Sequence, residues 1–265
     1  MYKQLAILFL LLLALPARSV LALDFPGALV DTDWLEQHLT EVKILDVRED
    51  IDSFTRKAVL VRKRFTGDLK LRRTGAHIPG AVLVDYLNIR NSREIDGNNV
   101  RRMLPERDEF EELMQSWGVN NDDAIVVTSL GTSNADMTLA TRLYWQLKYF
   151  GHKDMAILNG GTAQWILDKQ KIRSKAARAK KGNWVATTEE KCIFASSQDV
   201  AAAVKGKNAQ LVDTRSVGLF LGTWYKSSYV HAKGHIKGAK NYPNELITKP
   251  KLPARFISGK DTKAL

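Results

Sequence analysis

The chain alternates short continuous apolar runs with longer amphipathic segments. Four runs have the length and composition of buried strands, and three segments with apolar residues at helical spacing lie between or beside them. The predicted strands are Ile44–Val47, Val82–Val84, Ala124–Thr128 and Ala156–Leu158, and the predicted helices are Asp33–Leu39, capped by Thr32, then Glu106–Trp117 and Met137–Phe150. Because continuous apolar strands are typical of parallel sheets covered on both faces, this order predicts a doubly wound α/β domain.

Two short sequence motifs, here called phrases, occur twice along the chain in the same order. Lys43–Arg48 and Gln210–Arg215 each form a short apolar strand that ends in Asp-x-Arg. Ala76–Ala81 and Gly234–Ala239 each contain His-Ile-x-Gly-Ala. An ordered pair of phrases in two copies indicates two tandem homologous domains.

The amino terminus differs from the rest of the chain. Lys3 precedes an apolar run from Leu5 to Pro16, which is too short to span a bilayer as a mature helix, and Ser19–Ala22 ends in a small-residue cleavage pattern. We expect residues 1–22 to be a signal peptide and the protein to be exported, to the periplasm or outside the cell. A retained membrane anchor is the alternative, and after cleavage no stable membrane insertion is expected.

Basic residues cluster in two loop-like stretches of a chain with a formal net charge of +11. One stretch runs from Arg56 to Arg73, and the other forms a predicted basic linker over residues 168–183, between a first domain (23–167) and a second (184–265). Interleaved aromatics and known nucleic-acid-binding motifs are absent from both stretches, so no nucleic acid is expected as a partner. A solvated surface that attracts small anions or acidic partners is the simpler interpretation.

Cys192 is the single cysteine of the 265 residues. It cannot form an intramolecular disulfide, and the five histidines are too scattered to predict a metal site. Because free cysteine is usually buried, we expect Cys192 to be half-buried and structural, with a reactive surface thiol as the alternative.

The duplicated phrases resemble the rhodanese family, in particular its two-domain sulfurtransferases that use thiosulfate or 3-mercaptopyruvate. The resemblance covers about residues 28 to 246, and it is carried by Ile44–Arg48, Ala76–Ala81, Tyr149–His152, Leu158–Gly161, Trp165, Val212–Arg215 and Gly234–Ala239. It implies two tandem rhodanese-like parallel-sheet domains, the first being the inactive copy. It also implies an anionic sulfur donor and a thiol or cyanide acceptor, with no cofactor.

The family's chemistry requires a cysteine thiolate that accepts sulfur from the donor as a persulfide. The resemblance places that cysteine in the loop between a buried strand and the next helix, where backbone N–H groups converge. In the first copy this loop is Ser129–Asp136, and Ser129 stands at the critical position. Ser129 lies 52 residues after His77, and the same distance past His235 runs beyond Leu265. We therefore expect the second domain to be truncated before its catalytic loop, so that no catalytic residue is assigned.

Arg215 is the predicted substrate-binding residue, since the resemblance implies that it points towards the donor anion. An ion pair with Asp213 is the competing role. His77 and His235 are interpreted as hydrogen-bonded turn residues.

Three hypotheses follow from these patterns. The first is a sulfurtransferase of the thiosulfate/3-mercaptopyruvate type that is inactive in this chain for want of the nucleophile. The second is a non-catalytic exported rhodanese-like protein that binds an anion or a partner. The third is a remnant of a broken gene.

Overall fold

The structure is a computed structural model that describes residues 23–95, 97–206, 208–225 and 232–259. The predicted signal peptide lies outside these residues. In chain order the elements up to residue 128 are β1 (Leu29–Val30), α1 (Thr32–Gln37), β2 (Val42–Arg48), β3 (Val59–Arg62), β4 (Leu69–Arg73), β5 (Val82–Asp85), β6 (Asn91–Ile95), β7 (Asn98–Met103), α2 (Arg107–Ser116) and β8 (Ala124–Thr128). They are followed by α3 (Asn134–Tyr149), β9 (Met155–Leu158), α4 (Gly161–Leu167), α5 (Ser197–Gly206), β10 (Val212–Asp213), α6 (Val217–Leu221) and β11 (Lys240–Asn241), with short 3-10 turns at Ile51–Phe54, Lys191–Ile193 and Asn244–Ile247.

A five-stranded parallel sheet forms the centre of the first domain, in the order β1-β9-β8-β2-β5. Alternate residues of its central strands enter two separate cores. Leu45 and Ile125 face a core built with α2 and α3, whereas Ile44 and Val126 face one that contains Leu35 of α1. Both faces are therefore covered, and the predicted doubly wound α/β fold is confirmed.

All three predicted helices start at other residues than the sequence predicts, and α2 begins at Arg107 with Glu106 as its cap. Asp31 caps α1, since its Oδ1 accepts a hydrogen bond of 2.9 Å from the Trp34 N–H. Thr32, the predicted cap, lies inside the helix and donates its hydroxyl to Asp168 Oδ2 at 2.6 Å. Helix α3 begins at Asn134 rather than at Met137, because the Ser133 hydroxyl accepts from the Asp136 N–H and fixes the first turn.

The segment from residue 168 to residue 194 packs on the first domain. Arg173 and His77 exchange two backbone hydrogen bonds, of 2.8 and 2.7 Å. The Trp184 indole is only 2% exposed, packs against the Phe110 ring and donates its Nε1–H to His152 Nδ1 at 3.2 Å. The sequence places the start of the second domain at Trp184, but this side chain completes the core of the first, because a large apolar indole gains most by leaving water.

The described part of the second copy repeats the first strand pair in smaller form. Strand β10 pairs in parallel with β11, Asp213 opposite Asn241, as β2 pairs with β5 through Asp46 and Leu83. Within the described ranges β10 has no second partner, whereas β2 also pairs with β8. Two antiparallel hairpins, β3–β4 and β6–β7, lie outside the main sheet. None of the described helices is long and apolar enough to cross a membrane.

Candidate functional site

The carboxyl end of β2 carries a buried guanidinium clamp. Arg48 donates from Nε to Asp46 Oδ1 at 2.9 Å and from Nη2 to Asp46 Oδ2 at 2.6 Å. It also donates to the backbone oxygen of Ala76 at 2.7 Å and to the Ser53 hydroxyl at 3.0 Å. Both charged side chains are fully buried. The clamp thus ties the first repeated phrase to the second through a bidentate ion pair.

The second copy builds the same clamp from the same positions. Arg215 donates from Nε to Asp213 Oδ1 at 2.9 Å and from Nη2 to the backbone oxygen of Gly234 at 2.8 Å. Hydrogen bonds from Arg215 hold the pKa of Asp213 below its usual value. The Arg215 side chain nevertheless keeps 35% of its surface exposed. Arg215 therefore makes the ion pair with Asp213, and its role towards a substrate stays a prediction.

The two turn histidines make matching contacts, although His77 is buried and His235 is exposed. His77 Nδ1 lies 2.8 Å from the Phe54 carbonyl oxygen, and the His77 ring stacks on the Phe54 ring at 3.8 Å. His235 Nδ1 lies 2.8 Å from the Phe220 oxygen, and the two rings stack at 3.7 Å. Burial lowers the pKa of His77 below its ordinary value. The prediction that both are hydrogen-bonded turn residues is confirmed.

A cavity of about 720 Å³ borders the second clamp. It is lined by Asp213, Arg215, Lys233, His235 and Ile236, among others. Arg215 and Lys233 bring two positive charges to this cavity against the single carboxylate of Asp213. The structure thus gathers the predicted substrate-binding arginine and the second turn histidine at one concave surface.

The strand-to-helix loop of the first domain contains no cysteine. Ser129 is fully buried, with its hydroxyl 3.8 Å from the Met137 sulfur. The Asp136 carboxylate turns back into the loop and accepts from the Thr132 N–H at 2.8 Å and from the Thr132 hydroxyl at 3.1 Å. Burial raises the pKa of Asp136. A side chain of the protein itself therefore occupies a backbone N–H of the loop in which the resemblance places the sulfur anion.

Sequence reasoning missed Asp136, although a signal for it existed. Ser133 and Asp136 have the three-residue spacing of a capping pair at a helix start.

The carboxyl-terminal segment closes the same loop from outside, because the Ala254 N–H donates to the Gly131 oxygen at 2.8 Å. Phe256 donates its N–H to Asn159 Oδ1 at 2.9 Å beside it. No local pattern predicts this long-range contact.

Cys192 is exposed, so the prediction of a half-buried cysteine is wrong. In the turn Lys191–Ile193 the neighbouring Ile193 packs on the core, which leaves Cys192 facing outwards. The Cys192 sulfur lies 4.0 Å from Glu190 Oε2. The turn is held beside the carboxyl-terminal end of α3, where the Trp145 indole N–H donates to the Ile193 oxygen. The structure does not bring Cys192 to the loop at the amino-terminal end of α3.

Metal chemistry has no candidate in the parts of the chain that the structure describes. No three His, Cys, Asp or Glu side chains there are grouped closely enough to hold a metal ion.

Known proteins that this chain resembles include thiosulfate and 3-mercaptopyruvate sulfurtransferases. The model of the rhodanese-like domain matches residues 31–168. The chain is 31% identical over 251 residues to the sulfur carrier protein TtuD of Thermus thermophilus, which covers 91% of this chain and 77% of that protein. It is 30% identical to a putative thiosulfate sulfurtransferase of Saccharopolyspora erythraea, over 81% of this chain and 68% of the relative.

A solved structure agrees with these sequence matches. SseA from Escherichia coli, described as a 3-mercaptopyruvate sulfotransferase of rhodanese fold, superposes with a TM-score of 0.68 and 25% identity. The match covers 89% of this chain and 81% of SseA. With its duplicated Asp-x-Arg clamps and its parallel sheet, the chain belongs to the rhodanese family.

Proposed function

We propose that this protein serves sulfur transfer of the thiosulfate or 3-mercaptopyruvate type, and that Arg215 binds the anionic sulfur donor. The observation that carries the proposal is the difference in burial between two equivalent clamps. Arg48 is fully buried and can only hold the fold together, whereas Arg215 keeps 35% of its side chain exposed beside a cavity of about 720 Å³. A guanidinium that is already oriented by Asp213 can receive a small anion with little further ordering.

Residues 1–265 are proposed to bind the donor without transferring its sulfur. Transfer needs a cysteine thiolate at a strand-to-helix loop, and Cys192 lies beside the other end of α3. With 16 residues, α3 is about 24 Å long at 1.5 Å per residue. This separation of Cys192 from the strand-to-helix loop also favours a second candidate function. In it the protein is exported and binds an anion or a partner without catalysis. A thiol or cyanide acceptor would then receive sulfur only if another molecule supplied the nucleophilic cysteine.

Anion binding tests the role of Arg215. Titration calorimetry with thiosulfate compares the parent chain with Arg215→Gln, Arg215→Lys and the control Arg56→Gln, which breaks an exposed ion pair with Asp50. We expect Arg215→Gln to weaken binding at least about tenfold, as loss of a charge-assisted hydrogen bond costs about 1.5–3 kcal/mol. The thiosulfate affinity of Arg215→Lys should lie between those of the parent and Arg215→Gln, and the affinity of Arg56→Gln should equal that of the parent. Equal affinities in all four proteins would refute the assignment.

Turnover tests the second half of the proposal. The chain should show no thiosulfate:cyanide sulfurtransferase activity. Activity lost on Cys192→Ser would make Cys192 the nucleophile, and activity that survives this change would require another one, so either result would overturn the proposal. The intact mass of the native protein reports in addition whether residues 1–22 are removed, as export predicts.

A further inference from the structure

The hairpin formed by β3 and β4 is a separate structural feature on the first domain. Its strands pair Leu60 with Leu71 and Arg62 with Leu69. Leu71 is buried against Ala163 and Ile166 of α4, and this contact fixes the base of the hairpin. The apolar side chains of the hairpin turn mostly inwards, while its basic side chains point into solvent.

The tip of the hairpin holds a phenylalanine away from the protein. The Lys63 N–H donates to the Asp68 oxygen at 2.8 Å, and the Gly67 N–H donates to the Lys63 oxygen at 3.0 Å. The Arg62 guanidinium adds a bond of 2.8 Å to the Gly67 oxygen. At the end of this hydrogen-bonded turn Phe65 is 96% exposed, more than any other large apolar side chain of the described residues. The turn is internally bonded, so Phe65 is presented outwards by a defined backbone.

The surroundings of Phe65 are strongly basic. Residues 57–73 contain one carboxylate, Asp68, and seven cations: Lys57, Arg62, Lys63, Arg64, Lys70, Arg72 and Arg73. Asp68 is shared between the Thr66 hydroxyl at 2.7 Å and the Lys63 ammonium at 3.5 Å. The net charge of +6 within seventeen residues is concentrated on a projecting hairpin. The positive charge of this hairpin would attract an anionic surface.

We propose that the β3–β4 hairpin docks on an anionic phospholipid surface, with Phe65 in the bilayer interface and the surrounding cations at the lipid phosphates. Aromatic rings favour the membrane interface, and Lys and Arg can bury their stems there while their charges stay at the headgroups. A convex tip suits a flat, deformable surface, whereas a protein partner would need a pocket for the ring. Single-stranded nucleic acid would need several stacking aromatics, and Phe65 stands alone.

The expected strength follows from the charges. Each Lys or Arg near an anionic membrane is worth about 1 kcal/mol, which is about fivefold in partitioning. The charge reversal Arg64→Glu should therefore reduce binding by about five- to twentyfive-fold. Phe65→Ser removes the apolar contact and should reduce binding by about tenfold.

Vesicle co-sedimentation tests the proposal. The full chain and its variants are mixed with phosphatidylglycerol/phosphatidylcholine vesicles and with pure phosphatidylcholine vesicles, at low and at high salt. Matched controls lie on the other exposed hairpin, β6–β7: Arg101→Glu makes the same charge change, and Ile95→Ser removes a side chain that is 41% exposed. All variants share one amino terminus, so any contribution of residues 1–22 cancels in the comparison.

We expect salt-sensitive binding to the anionic vesicles that falls in both tip variants and stays at the parent level in both controls. The substituted side chains are exposed, and an unchanged melting temperature verifies that each variant is folded. Equal binding to neutral vesicles, an unchanged Phe65→Ser variant, or equal losses in the β6–β7 controls would each overturn the proposal. Phe65-dependent binding to an acidic protein in place of the vesicles would overturn it as well, in favour of a protein partner.

Discussion

Asp46 and Asp213 hold equivalent arginines in different surroundings. The Asp46–Arg48 pair is fully buried, while the Asp213–Arg215 pair has 12% and 35% of its side chains exposed. A buried ion pair contributes little in total, because desolvation offsets the attraction, yet the loss of one partner strands the other charge. The exposed pair remains partly hydrated, so its loss should cost much less.

Substitution of Asp46 and of Asp213 should show that the buried ion pair matters more for stability than the partly exposed one. We expect Asp46→Asn to lower the free energy of unfolding by about 3–5 kcal/mol, as it leaves the Arg48 charge buried without its carboxylate. Asp213→Asn should lower it by about 1 kcal/mol or less. Urea unfolding of both variants provides the measurement. Losses of similar size would contradict the difference in burial on which the proposed role of Arg215 depends.

At the scale of secondary-structure elements, close backbone contacts shape the loop between β8 and α3. Gly131 has a φ of +73°, and a Cβ at this position would lie 2.0 Å from the Gly160 oxygen. Gly67, in the β3–β4 turn, has a similar φ of +71° with nothing within 4 Å of a Cβ. The two glycines share the same backbone requirement but differ in the space around them.

This pair allows a controlled test of loop packing. We expect Gly67→Ala to cost about 1–2 kcal/mol from its left-handed conformation alone. Gly131→Ala should cost at least about 2 kcal/mol more, since the Gly160 backbone must move to admit the methyl group. Thermal unfolding of both variants against the parent measures the difference. Equal melting temperatures in the two variants would show that the loop is not held by this contact.

At the scale of the whole molecule, the extent of the first domain is set by long-range packing. Trp184 lies 2% exposed in its core, and Gly182 approaches the Val119 backbone so closely that a Cβ would lie 1.9 Å from its oxygen. The family match ends at residue 168, before both of these contacts. The folded unit therefore includes the basic segment that follows α4.

Two fragments distinguish the alternatives. Residues 23–195 should unfold cooperatively, whereas residues 23–167 should be destabilised by about 3–5 kcal/mol or more, because they lack the Trp184 indole. Urea unfolding followed by circular dichroism reports both stabilities. If the shorter fragment were equally stable, residues 168–183 would be a linker, as the sequence alone predicts.

The sequence by itself determined the alternation of helices and parallel strands, the duplication and the rhodanese resemblance. The sequence of apolar and polar positions is a local signal, so strand β8 was predicted at its observed ends, and the histidine turns followed from a repeated phrase. Only the tertiary structure decided how deeply each group is buried. The exposure of Cys192 and Arg215 and the burial of Trp184 depend on which distant segments pack there. No local pattern carries that information.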